Sequence, residues 1–473
     1  MSDIDSARGL VRDAGGAVLL ERLEHLEALG GQLPIPEEPP PAPGAGARRD
    51  FDVILAGGGL WLLLAPVLAD RGLRVAVFER SRAGAAHREW NASGPELGAL
   101  VGAGLLSRHE LEALVVARYH TGFCRFHGGG TYHVPGVLDH AVDAGSLLAR
   151  ARRLAEERHV AFFDGHLVTS HTAGADAIAV RVREGGVTRD VTAAVLVDAR
   201  GAASPYATAD MVCPTVGGVM RGLAVGDGPD ETDPDVGEIL VTVDPTEDGR
   251  QHVWEGFPGR AGEFTTYLFY YARAGEPISL LALYARFFRR LATYKRGDAK
   301  LVRPTFGLIP GWSRLSPAPA PAMPRVVLVG DAAARHSPLT YCGFGATLRS
   351  LVPAADAIER SMAGDEPSAC IVHDAPIHAL TGALAHVMAS RRFAGDELNK
   401  LLDAAFAVLH DMGPEAYAQL LRDEMDVGSF MEFLRLTAAK HPGVWGKVVR
   451  GMGIGTLSRW SVGLVRSLWR RAA

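Results

Sequence analysis

Phe51–Arg80 reads FDVILAGGGLWLLLAPVLADRGLRVAVFER. An apolar strand, Phe51–Ala56, delivers the chain into Gly57, Gly58 and Gly59. A helical segment, Leu60–Arg71, follows, and a second strand, Leu73–Phe78, ends at Glu79 and Arg80. Bare glycine backbone can turn tightly and approach a phosphate. The helix behind it aims its positive dipole end and unpaired N–H groups at the same point. Glu79 stands roughly twenty residues beyond the first glycine, where a carboxylate can accept hydrogen bonds from ribose hydroxyls. Strand, turn, helix, strand and acid in this register predict a Rossmann-like dinucleotide-binding domain. One position departs from the G-x-G-x-x-G spacing: Leu62 takes the third glycine's place and bulky Trp61 precedes it. That glycine normally lets helix and strand pack closely, so an altered helix angle is expected.

Two later segments extend the reading. LVDARGAAS, residues 196–204, is a strand ending at Asp198 with a turn at Gly201, a pattern too common to carry weight alone. PRVVLVGDAAARHSPLTYCGFGATL, residues 324–348, is stronger. A strand ends in Gly330-Asp331, where Asp331 can reach a ribityl chain and Gly330 permits close approach. Pro338, Gly343 and Gly345 then open a helix whose N-terminal dipole would face a flavin ring and favour negative charge on it. Paired with the first motif, this predicts non-covalent FAD. No second glycine-rich turn provides for a pyridine nucleotide, so NAD(P)H enters only as a candidate external electron donor.

The 473 residues, 48% hydrophobic, can bury a large core. A formal net charge of −5 gives no footprint for nucleic acid. Cys124, Cys213, Cys342 and Cys370 are scattered and the histidines form no ligand pattern, so neither a disulfide framework nor a metal site is expected. No apolar signal segment or membrane-length run occurs, which predicts a cytoplasmic protein, at most peripheral to the inner face of a membrane.

The expected fold class is α/β: a Rossmann-like FAD-binding domain of the hydroxylase-like type, an inserted antiparallel substrate domain and a helical C-terminal region. Residues 1–48 read as a helix, with Leu19, Leu23 and Leu26 on one face, and a proline-rich linker from 34 to 47. The FAD-binding domain is expected over 49–205 and 319–395, the substrate domain over 206–318, and C-terminal helices over 396–473.

Several segments resemble the CruA/CruP-type lycopene cyclases, within the wider group of lycopene cyclases, geranylgeranyl reductases and flavin hydroxylases. They are REWNAS at 88–93 followed by ELGALVGAGLLSRHEL, VWEGFP at 253–258, TTYLFYY at 265–271, FGLIP at 306–310 and GDAAARHSPLTYCGFGATLRSL at 330–351. The family pattern EWNISR is met here with Ala92, Ser93 and Gly94 in its variable part. The resemblance implies FAD and an apolar carotenoid or related isoprenoid substrate, and leaves the activity open. A lycopene cyclase-like enzyme leads; a monooxygenase, an isoprenoid double-bond reductase and a non-catalytic paralogue stand as alternatives.

Lycopene cyclisation is redox-neutral: an alkene is protonated, the cation is captured by ring closure, and a proton is lost. It needs an acid in a dry pocket and aromatic faces or a reduced flavin near the cation. Glu255, between Trp254 and Phe257, is the candidate acid, since desolvation would keep it protonated. Glu263 is the next candidate. Trp254, Phe257, Tyr267, Phe269 and Tyr271 are candidate substrate contacts, the last three on one face of a strand. An ordinary strand with an exposed Glu and a packed aromatic row is the plainer alternative. Arg88 and Asn91 suit cofactor oxygens, although Asn91 or Ser93 could equally cap the next helix. The expected cofactor set is Gly57, Gly58, Gly59, Glu79, Arg80, Arg88, Asn91, Gly330, Asp331, Gly343 and Gly345. The tail from Gly443 carries Trp445, Trp460 and Trp469 among basic residues, which suits either an interfacial membrane anchor or a packed helix with a basic outer face.

Overall fold

The structure is a computed structural model and describes residues 2–29, 37–86, 88–207, 209–313, 315, 323–334, 337–363, 370–371 and 378–462. Helix α1 (Asp3–Leu29) comes first, interrupted at Gly16, whose φ of 74° breaks it into two. β1 (Phe51–Ala56) and β2 (Val75–Glu79) lie side by side in parallel, flanking a 3₁₀ turn, Leu60–Leu63, and the short α2 (Leu64–Asp70). The altered helix entry has this form: with Trp61 and Leu62 both buried, the first turn tightens before the α-helix begins.

The parallel sheet runs in the order 370–371, 326–329, 187–198, β1, β2, 161–164, with the antiparallel strands 178–184 and 166–173 appended. Its strands are near-continuous apolar runs because both faces are covered. The segment 37–47 runs beside strand 166–173, where Ser170 and Thr172 donate to the carbonyls of Glu38 and Pro40.

Helices α3 (Gly94–Gly102), α4 (Arg108–Leu114) and α5 (Ala144–Glu157) follow β2. A second sheet, mostly antiparallel, is built on strand 211–223, which pairs with 264–269 on one side and 297–311 on the other. Strands 121–125 and 131–135 join this sheet through a parallel pairing of 121–125 with 236–241. The chain therefore enters the antiparallel sheet once before residue 206. Helix α6 (Leu280–Tyr294) and α1 cover its outer face, with Trp254, Tyr284, Phe287 and Tyr294 packed between. After α7 (Gly343–Ala363) come α8 (His378–Met388), α9 (Glu397–Asp411), α10 (Pro414–Leu421), α11 (Val427–Lys440) and α12 (Val444–Met452), which share an apolar core with the inner face of that sheet.

No helix among the described residues is long and apolar enough to cross a membrane. Trp460 is buried and Trp445 half-buried beside it, with ring centroids 6.4 Å apart. Val444, Val448 and Met452 also face the core. The first part of the tail is thus a packed helix; Trp469, Arg466, Arg470 and Arg471 lie outside the described residues.

Candidate functional site

One cavity of about 770 Å³ joins the two sheets and the C-terminal helices. Gly57, Gly59, Glu79, Arg80, Arg88, Asn91, Gly330, Asp331, Gly343 and Gly345 all line it, although they come from positions almost 300 residues apart. Sequence spacing alone could not bring them together; the parallel register of strands 326–329, 187–198 and β1 does.

The glycine turn is held closely. Gly57 has φ +108°, and a Cβ there would lie 2.5 Å from the Ala199 carbonyl oxygen, so only glycine fits. Gly58 does not line the cavity. Its N–H donates to Glu79 Oε2 at 2.8 Å, and Ser81 donates to the other carboxylate oxygen through N–H and hydroxyl. Glu79 is thereby locked at the end of β2. Asp198 is fully buried and bound to the Arg200 guanidinium and to Ser204, a structural cluster that fixes the Gly201 turn beside Asp331. At Gly330, φ is +57° and a Cβ would come within 2.4 Å of the Trp61 indole nitrogen. The tryptophan in the fingerprint therefore lies against the later glycine, and its Nε1–H is buried without a partner. The sequence marked both as unusual or important but gave no sign that they touch.

The polar wall beside the turn is built from the REWNAS segment. Ser93, not Asn91, caps α3, in a reciprocal capping box with Glu96. Glu96 also pairs with Arg349 and lies against Gly345, placing a carboxylate at the N-terminal end of α7. Asn91 instead donates from Nδ2 to Glu255 Oε1 at 3.1 Å. Burial pushes the Glu255 carboxyl up to about 7, with the Asn91 hydrogen bond opposing it. Desolvation is the cause the sequence suggested, but the residues around the carboxyl are not Trp254 and Phe257. Trp254 points away, stacked on Tyr294 at 4.4 Å, because neighbouring residues of a strand face opposite sides. Phe257 packs with Tyr119, Ala141 and Tyr267 and also lies outside the cavity lining. Asn91, Cys213 and Tyr267 line the space with Glu255 in their place.

Tyr267, Phe269 and Tyr271 do line the cavity. Tyr267 is fixed by a hydrogen bond to the Glu89 carbonyl at 2.8 Å and Tyr271 by one to the Leu339 carbonyl at 2.5 Å. Glu263 is outside the lining, paired with Arg221 at 2.7 Å. The other carboxyl-bearing acid on this wall is Glu89, which burial also shifts upward but which is bound to Arg303. Sequence reading passed over Glu89 although it stands inside the quoted REWNAS motif.

Beyond these residues the walls become apolar. Met388, Leu401, Phe406, Leu420, Phe430 and Trp445 come from α8 to α12. Their pattern was legible only as generic helix core, since a tunnel and a packed bundle use the same residues. Arg22, His25 and Leu26 of α1 also reach the lining, and nothing in the sequence connected α1 with the site.

The residues present fit a dinucleotide. Glu79 stands at the ribose position of the fold, the first N–H groups of the Leu60–Leu63 turn have no intrahelical partner, and the guanidinium groups of Arg80 and Arg88 make no hydrogen bond or ion pair among the described residues. Among the described residues no group of His, Cys, Asp and Glu is arranged to hold a metal ion.

No family model matches the chain, and no curated protein matches it in sequence. Solved structures do match in fold. A geranylgeranyl bacteriochlorophyll reductase-like protein from Thermoplasma acidophilum is 15% identical, with 85% of this chain and 99% of that one aligned and a TM-score of 0.54. A flavoprotein/dehydrogenase from Cytophaga hutchinsonii is 13% identical over 88% and 100%, with a TM-score of 0.56. The halogenase PltM, in complex with phloroglucinol and FAD, is 12% identical over 89% and 96%, with a TM-score of 0.57. These likenesses establish the α/β fold of the FAD-binding flavoproteins, with its parallel sheet, antiparallel sheet and C-terminal helices.

Proposed function

We propose that this chain is an FAD-dependent enzyme acting on a long apolar isoprenoid, and that acid-catalysed ring closure of the lycopene cyclase type is its reaction. One observation carries the reading: a single cavity is lined by the dinucleotide turn, by the half-buried Glu255 carboxyl, which desolvation pushes up to about 7, and by the apolar faces of five helices. The resemblance of REWNAS, VWEGFP and HSPLTYCGFG to the CruA/CruP-type cyclases supports it further.

In this reading Gly57, Gly59, Glu79, Arg80, Arg88, Gly330, Asp331, Gly343 and Gly345 would hold FAD. Bound in reduced form, FAD supplies an electron-rich surface that stabilises positive charge without net electron transfer to the substrate. Glu255 donates the proton. A carboxyl that burial pushes up to about 7 is about half protonated at neutrality and largely so below it, yet acidic enough to deliver its proton when an alkene is pressed against it. The Asn91 amide holds the carboxyl in place and remains bonded to the carboxylate once the proton has left. Tyr267, Phe269 and Tyr271 offer aromatic faces to the developing cation. Their hydroxyls, where present, are turned to backbone carbonyls and so kept from trapping it. The carboxylate left on Glu255 can take back a proton as the ring alkene forms, so the cycle closes on one side chain.

Expression in cells that accumulate lycopene, with product analysis, tests this. A product of unchanged mass and new retention supports ring closure. Added hydrogen would reassign the chain as a double-bond reductase, added oxygen as a monooxygenase, and unaltered lycopene would overturn the cyclase reading.

A further inference from the structure

Helix α1 lies outside the nucleotide-binding unit, yet it forms part of the cavity wall. Its buried face, Ala7, Val11, Leu20 and Leu23, sits in the core of the antiparallel sheet. Gly15 lets the helix run close to strand 297–311, where an added Cβ would meet Pro304 at 2.6 Å. At the far end Glu27 accepts from Ser279 and from the Leu281 N–H at the start of α6. The helix is thus pinned along its length to the substrate sheet. Arg22, His25 and Leu26, at i, i+3 and i+4, share the face that turns toward the cavity.

Arg22 lines the same cavity as Arg80 and Arg88 and lies within electrostatic reach of both. None of the three guanidinium groups makes a hydrogen bond or ion pair among the described residues. Glu79, the acid within electrostatic reach of Arg22, is already occupied by Gly58 and Ser81. Burial, then repulsion from Arg80 and Arg88, pulls the Arg22 pKa down, with Glu79 offsetting part of it. Like charges gathered in a concave site without partners cost stability unless an anion sits among them. Planar guanidinium forks that need bidentate acceptors match a phosphate or pyrophosphate better than any neutral ligand.

We propose that α1 is a strap across the mouth of the cavity and that Arg22 binds the pyrophosphate of the dinucleotide together with Arg80 and Arg88. The inference rests on the FAD reading and assigns the N-terminal helix a binding role. It also makes closure of the mouth depend on the substrate sheet, because α1 is anchored there and reaches the cavity through its Arg22 face.

The test is titration of the apo-protein, wild type, Arg22→Gln and Arg22→Lys, with FAD, with riboflavin and with inorganic pyrophosphate. Arg22→Gln should weaken FAD binding by roughly tenfold or more and reduce its sensitivity to salt, with riboflavin affinity unchanged. Arg22→Lys should fall between. In thermal melts Arg22→Gln should leave the apo-protein as stable as wild type or more so, because repulsion is relieved, while lowering the melting temperature of the FAD complex. A structural role would destabilise both forms. Equal FAD affinity in wild type and Arg22→Gln would overturn the proposal while leaving the cofactor reading intact. Pyrophosphate binding that persists in the FAD-saturated wild type and disappears in Arg22→Gln would overturn it too, because Arg22 would then serve a separate ligand. A wild type that binds no FAD would overturn both.

Discussion

Replacing Glu255 by Gln tests this half-buried acid without changing its shape. The amide keeps an oxygen to accept from Asn91 and cannot ionise. Holding the carboxyl at about 7 where an ordinary one titrates at 4.5 corresponds to about 3 kcal/mol against the charged form. In the unfolded chain Glu255 ionises near its ordinary value, whereas in the folded protein it stays protonated to about 7. Between those values the folded state binds the extra proton, so stability falls as pH rises. The contribution is fully present below 4.5 and gone above about 7. Glutamine escapes that loss. With an unfolding entropy of about 2 cal/mol/K per residue over 473 residues, 1 kcal/mol is worth about 1 °C in melting temperature. Glu255→Gln should therefore melt close to wild type at pH 5 and about 3 °C above it at pH 8. Differential scanning calorimetry at both pH values reads this directly. A difference that does not vary with pH, or a variant less stable at pH 8, would refute the claim that Glu255 is held protonated by burial. The same variant should lose roughly 10² to 10⁴ in turnover on an authentic substrate while retaining FAD.

Asp331→Ala should lower FAD occupancy in the purified protein, measured as flavin absorbance against protein; unchanged occupancy removes the proposed ribityl contact. Gly330→Ala places a Cβ against the Trp61 indole in backbone of positive φ and should cost about 1–2 kcal/mol from the backbone alone. Adding Trp61→Ala should recover the steric part of the loss in a double-mutant cycle, and strict additivity would show that the two residues do not interact. Deletion of residues 463–473 should shift the protein from the membrane pellet to the supernatant with FAD retained, if that basic tryptophan-bearing segment binds an interface; equal partitioning would exclude it.

The nucleotide-binding unit was legible because its chemistry is local. Gly57–Gly59, Glu79 and the strand–turn–helix–strand rhythm lie within thirty residues of one another, and period and turn chemistry identify them. Gly330-Asp331 could be read for the same reason. What escaped was everything set by tertiary contact. Strand alternation makes Trp254 and Glu255 face opposite ways, but which face is the cavity depends on where α6 packs. Strands 121–125 and 131–135 carried no sign that they would leave the first half of the chain for the second sheet. Asn91 and Ser93 were interchangeable as caps in sequence, and the choice was made by the position of Glu255 on another strand. Arg22 was one basic residue among several on a surface-looking helix until α1 was seen to line the cavity.

The most direct measurement for the account as a whole is the flavin content of the purified protein and of protein incubated with FAD and desalted. The account predicts a flavin spectrum, one FAD released per chain by denaturation without proteolysis, and loss of that spectrum in a Gly57→Val variant, whose side chain would collide with the Ala199 carbonyl. A folded wild-type protein that remains colourless after incubation with FAD would contradict it.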